Sequence, residues 1–110
     1  MYEGKYPKKR YKHTLKFLKN CISTEAKILD LGVENPFSEI LKTEGFQVTN
    51  TKGEDLDIQT EAVKTTEYDV VTAFEIFEHL VSPFNVIQDI KAKKLVASVP
   101  LKLWFASAYR

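Results

Sequence analysis

Cysteine is nearly missing. Cys21 stands alone among 110 residues, which excludes an internal disulfide and any zinc site built from several cysteines. Glycine is scarce as well, with four in the chain, so the closely spaced glycines that let backbone approach a pyrophosphate are absent. No apolar run reaches the length of a membrane span, and the charged N-terminal stretch has no secretory hydrophobic segment. The expectation is a cytoplasmic protein with no membrane partner. An excess of charge of one sign is lacking too. Sixteen basic residues nearly cancel fifteen acidic ones, so the overall field favours neither nucleic acid nor an anionic surface.

What is present is enough for one continuous core: 44% hydrophobic and 12% aromatic content predict a single domain over residues 1–110. The charge is unevenly placed. Within residues 1–22, seven basic side chains (among them Lys5, Arg10, Lys12 and Lys19) face one acidic residue, Glu3. Such a face is either solvated helix surface or a partner contact. With Tyr6 and Tyr11 as the aromatics interleaved among the basic residues of its first half, nucleic acid ranks last as that partner.

The pattern divides the chain into a basic N-terminal helix within 1–25, a core over 26–100 and an apolar tail at 101–110. Tyr11, Leu15, Leu18 and Ile22 form one helical stripe, so a helix is predicted over about 8–22. Residues 26–31 read as a short strand that ends at Gly32. Asn35 then offers an N-cap, Pro36 suits the first helical position, and Gly45 sits where a left-handed C-terminal residue is wanted. Residues 46–51 alternate as a second strand, and 54–67 read as an irregular acidic connection with one helical turn. Tyr68 to Phe74 is a run of apolar and β-branched residues suited to a strand buried on both faces. Ser82-Pro83 repeats the cap-then-proline signal for a helix to about Ala92, and a last strand covers 94–99. This order is the rhythm of an α/β fold with a parallel sheet and right-handed crossovers.

In such sheets ligands bind beyond the carboxyl ends of the strands. The turn from Gly32 to Asn35 lies there, and its backbone N–H groups with those of the following helix start predict a site for a carboxylate or other anion. Val33, Glu34, Asn35 and Pro36 add side chains and a negative charge where a diphosphate would sit, which disfavours NAD and nucleoside triphosphates.

Two segments carry a resemblance. Ile28-Leu29-Asp30-Leu31-Gly32 resembles the first motif of class I S-adenosylmethionine-dependent methyltransferases, and residues 68–80, ending Phe-Glu-His-Leu, resemble that family's central strand in its Glu-His-Leu subgroup. Ser98-Val99-Pro100 is similar to the end of its fifth strand. The resemblance implies a Rossmann-like three-layer sandwich with a mostly parallel sheet, reduced or truncated relative to the seven-stranded family fold. It implies S-adenosylmethionine as cofactor, S-adenosylhomocysteine as product and a small-molecule methyl acceptor.

On matching positions the resemblance implies a cofactor turn at Asp30, Gly32, Val33, Glu34 and Asn35, with Phe74 and Glu75 bordering the methionine part. Asp30 would either orient the turn or reach the cofactor's amino group through water, or else cap nearby N–H groups; Gly32 would either admit close backbone approach or serve a tight turn. Phe74 fits a core role equally. The family's ribose-binding acid falls at Thr51 or Lys52, which cannot serve, so Asp55 or Asp57 would replace it if the loop folds back; otherwise both belong to a solvated loop. His79 would either accept a proton from the methyl acceptor or be structural. Glu34, Pro36 and Phe37 stand where the family has open space, and the third strand is reduced or absent. These departures favour the alternative of a catalytically silent binding module, and an exposed sheet edge or the aromatic residues at 104–109 would then permit a homodimer.

Overall fold

The computed structural model describes residues 2–98, with side chains from residue 9 onward. Helix α1 runs Tyr2–Cys21, longer at its start than the apolar stripe alone indicates. Strand β1 (Lys27–Asp30) leads through the Gly32 turn into helix α2 (Pro36–Thr43), followed by β2 (Gln47–Asn50). A 3₁₀ turn at Glu61–Val63 precedes β3 (Val70–Phe74), and a second at Phe77–His79 precedes helix α3 (Pro83–Asp89) and strand β4 (Lys94–Ser98). The tail at 101–110, with the dimer contact expected at 104–109, lies outside the described residues.

The architecture is α/β, with a four-stranded sheet, all parallel, in the order β2-β1-β3-β4. Between β2 and β3 the described residues form no strand. Successive residues of a strand face opposite sides, and the core divides accordingly. Ile28 and Val70 join Leu18, Ile22, Phe37 and Leu41 beneath α1 and α2. Leu29, Val71 and Ala73 join Leu56, Val63 and Val86 on the other face, where the first 3₁₀ turn and α3 lie. Burying each large aliphatic side chain in these clusters contributes about 1.5–3 kcal/mol. β2 and β4 are the outer strands, and Leu95 on β4 is 38% exposed.

Local chemistry explains the helix starts. At α2 the Asn35 side chain accepts from the Ser38 N–H (3.0 Å), while the Ser38 hydroxyl accepts from the Asn35 N–H (2.9 Å), a reciprocal capping box with Pro36 in the first turn. Gly45 has φ +99°, as a left-handed helix end requires. At α3 the expectation of a Ser82 cap is overturned: its side chain makes no capping bond. Asp57, from the acidic connection, accepts instead from the N–H groups of Val81 (3.0 Å) and Ser82 (2.7 Å). Proline at the first helical position gave the right start, but the cap comes from a loop 25 residues earlier, which no local pattern encodes. Asp57→Ala should therefore cost about 1 kcal/mol, read as a lower denaturant midpoint with an unchanged slope; an unaltered midpoint would show the cap to be idle.

Candidate functional site

Parallel pairing puts Asn50, Asp30 and Thr72 side by side at the carboxyl end of β2, β1 and β3. All three point to the α1/α2 face, and they form a polar row. Asp30 is 2% exposed; its carboxylate accepts from the Thr72 hydroxyl (2.7 Å) and from the Asn50 amide (3.0 Å). Burial pushes the Asp30 carboxyl above its ordinary value, while hydrogen bonds from Thr72, Asn50 and Asn35 pull the other way. Its carboxylate partners are therefore side chains, not the backbone N–H groups that a capping role requires.

The turn above this row is held from β2. Thr51, just past β2, accepts from the Gly32 N–H through its hydroxyl (2.7 Å), and the Asn50 amide also donates to the Gly32 carbonyl (3.1 Å). Gly32 has φ +108°, and a Cβ there would lie 3.3 Å from the Ile76 side chain. The positive φ bears out the tight-turn reading of this glycine. The expected supply of free donors is smaller than the sequence indicates, because Gly32, Asn35 and Ser38 have their N–H groups satisfied within the chain.

A cleft of about 310 Å³ opens at this end of the sheet. Asp30, Gly32, Val33 and Asn35 line one side, and Phe74, Glu75 and Ile76 another. Thus the two segments singled out in the sequence, far apart in the chain, share one cavity. Phe74 is half-buried and packs edge-on against Phe37 (5.2 Å between centroids), so it lines the cleft and caps the core together. Glu75 has φ +58°, the one positive value among the described non-glycine residues, and its N–H donates to the Ser98 carbonyl.

Other expected residues lie elsewhere. Glu34 turns away from the cleft and pairs with Lys42 (2.8 Å), so it does not crowd the turn. Asp55 is exposed and accepts from the Asp57 N–H, while Asp57 caps α3; neither lines the cleft. His79 has a 76% exposed side chain, 3.8 Å from Glu78, and also lies off the cleft. No family model, curated protein or solved structure matches this chain.

Three cleft residues come from α1, to which the sequence assigned a packing stripe and a basic face that is either solvated or a partner contact: Arg10, Tyr11 and Thr14. Tyr11 stacks on Phe37 (5.0 Å, 25°), and Arg10 donates to Glu75 (2.9 Å). Their only mark in the sequence is that the stripe of leucine and isoleucine begins with a tyrosine beside an arginine. Among the described residues no helix is long and apolar enough to cross a membrane, and no cluster of three or more metal-ligating side chains occurs.

Proposed function

We propose that the cleft binds S-adenosylmethionine and that the chain is a reduced, Rossmann-like methyltransferase domain acting on a small-molecule acceptor. The observation that carries this reading is the meeting of Asp30–Asn35 and Phe74–Ile76 on one cavity at the carboxyl ends of β1 and β3. Ligand sites in parallel sheets occupy that position, and the cavity has the size and apolar-with-few-polar-groups character of small-molecule pockets. The strand order β2-β1-β3-β4 is compatible with such a domain lacking its third strand.

The residues present fit the cofactor. Gly32 leaves the turn without a side chain, and Val33, Phe37, Phe74 and Ile76 supply apolar wall. Asn50 Oδ1, at the end of β2, is a buried acceptor with no partner, and Asn50 does not line the cleft. Bound S-adenosylmethionine would supply an electrophilic methyl group on sulfur. The chain's own share is positioning: the Asp30–Thr72–Asn50 row holds the turn through the Asn50 bond to the Gly32 carbonyl, and the Tyr11–Phe37–Phe74 aromatic contacts keep α1 against the cavity. His79 is given no proton transfer in this site because it lies outside the cleft.

A second reading, binding without catalysis, is favoured by one observation: Lys52, exposed at the position of the ribose acid, brings no carboxylate to the cavity. Isothermal titration should show S-adenosylmethionine and S-adenosylhomocysteine binding at a single site in the micromolar range. No heat at millimolar ligand would remove both readings. Transfer of labelled methyl from S-adenosylmethionine to a small-molecule extract separates them, since the binding module would give none.

A further inference from the structure

Among the described residues the sheet has two outer strands, and their chemistry differs. On β2 the exposed side chains are Gln47 and Thr49, both polar, and the Gln47 amide is tied to the Glu25 carbonyl (3.2 Å). On β4 they are Lys94, Leu95 and Ala97. Lys94 folds back from the edge, its Nζ donating to the Cys21 carbonyl (3.1 Å), so the rest of the strand carries no charge. That bond, with the one from Arg10 to Glu75, lays α1 along the β3–β4 side of the sheet. Phe17 follows Arg10 by seven residues and precedes Cys21 by four, which puts all three on one stripe of α1. It therefore stands between the two ends of β4 on that side, and it is 54% exposed. Leu95 and Ala97 share the opposite face, because they pair with Val71 and Ala73. β4 thus presents a row of backbone groups without a strand partner among the described residues, with apolar side chains on both faces, which is a template for another strand.

We propose that β4 pairs antiparallel with β4 of a second copy of this chain, about a twofold axis at Val96, and joins the two sheets into one of eight strands. Charge selects both the partner and the direction. Lys91, Lys93 and Lys94 lie at the amino end of β4, whereas Glu75 and Glu78 follow β3 at the other end, where Phe74 pairs with Ser98. Antiparallel pairing sets the basic end of each copy against the acidic end of the other. Parallel pairing would bring the lysines of both copies together, a costly like-charge contact. Centred on Val96, the antiparallel register lays Leu95 over Ala97 of the other copy, a large side chain on a small one, and puts Lys94 opposite Ser98. Such a contact is self-complementary, as a twofold interface requires. Ser98 lines the cleft, so the two clefts open at opposite ends of the joined sheet and the basic end of the other copy comes beside each. The pairing does not depend on what the cleft binds.

Sedimentation of the whole chain should give a dimer at about 100 μM. Leu95→Lys should raise the dissociation constant about tenfold or more, because the twofold axis repeats the change, while far-UV circular dichroism stays that of the wild type. Cross-linking with oxidised glutathione in a Cys21→Ser background reads the register: Val96→Cys should join two copies through a disulfide, and Thr49→Cys on β2 should not. A monomer at that concentration, a dimer indifferent to Leu95→Lys, or a cross-link through Thr49→Cys in place of Val96→Cys overturns the proposal. Cover of β4 by the chain's own residues 101–110 would show as the first of these.

Discussion

Gly32→Val should destabilise the chain by about 3 kcal/mol and abolish binding in the cleft. The backbone there sits at φ +108°, a region that a β-branched residue does not enter without strain. The added Cβ would also meet the Ile76 side chain at 3.3 Å, tighter than ordinary contact. Ile76 can yield, because the atom met is the end of a flexible side chain; the backbone cannot, because Thr51 and Asn50 grip the Gly32 N–H and carbonyl. A turn that relaxed to negative φ would release both bonds and uncover the Asp30 row. The predicted outcome is a lowered denaturant midpoint together with loss of calorimetric heat for S-adenosylhomocysteine under conditions where the variant is still folded. Full affinity in a folded Gly32→Val variant would show that the turn takes no part in binding.

The second large effect belongs to Thr72. Its side chain is fully buried and its hydroxyl donates to Asp30 at 2.7 Å, so Thr72→Val keeps the shape and removes one of the donors that hold a buried carboxylate. Losing a hydrogen bond to a charged buried group costs about 2–3 kcal/mol. The effect depends on pH in a defined direction. Burial raises the folded-state value of Asp30 above 3.8, and the Thr72 bond lowers it, so Thr72→Val raises it further. In the window between 3.8 and the raised folded value the folded chain holds the extra proton, and stability falls as pH rises through that window. The cost of Thr72→Val should thus be greatest at neutral pH and shrink at pH values where Asp30 is protonated. Asp30→Asn, which cannot titrate, should flatten the curve over the same window. Urea titrations at a series of pH values measure both; a Thr72→Val cost that is the same at every pH would contradict the buried-carboxylate account.

Much of this arrangement is legible in the chain because it is local. Asn35-Pro36 gives a helix start, Gly45 its end, and Val70 to Phe74 an uninterrupted buried strand, and each of these depends on neighbours a few residues away. The first three strands are a residue or two shorter than their apolar and β-branched runs indicate, because pairing rather than propensity sets the limit. What could not be read is non-local. Asp57 reaches the start of α3 and Arg10 reaches Glu75 only because the chain folds back, and nothing in the spacing of either residue announces its partner. The polar row of Asn50, Asp30 and Thr72 depends on register between three strands: the sequence supplies the residues, and pairing supplies the alignment. Glu34 shows the converse. Its charge in the turn indicates a crowded site, yet rotation toward Lys42 on α2 takes it out of the cavity.

The central claim is that the cleft between Asp30–Asn35, Phe74–Ile76 and α1 is the cofactor site. An NMR titration of the isotope-labelled chain with S-adenosylhomocysteine tests it most directly. The account predicts saturable shifts at the amides of Gly32, Val33, Asn35 and Glu75 and along α1 near Arg10 and Thr14, with Asp55, Ile58, His79 and Phe84 unmoved. Unchanged spectra at millimolar ligand, or shifts confined to the second group, would contradict it.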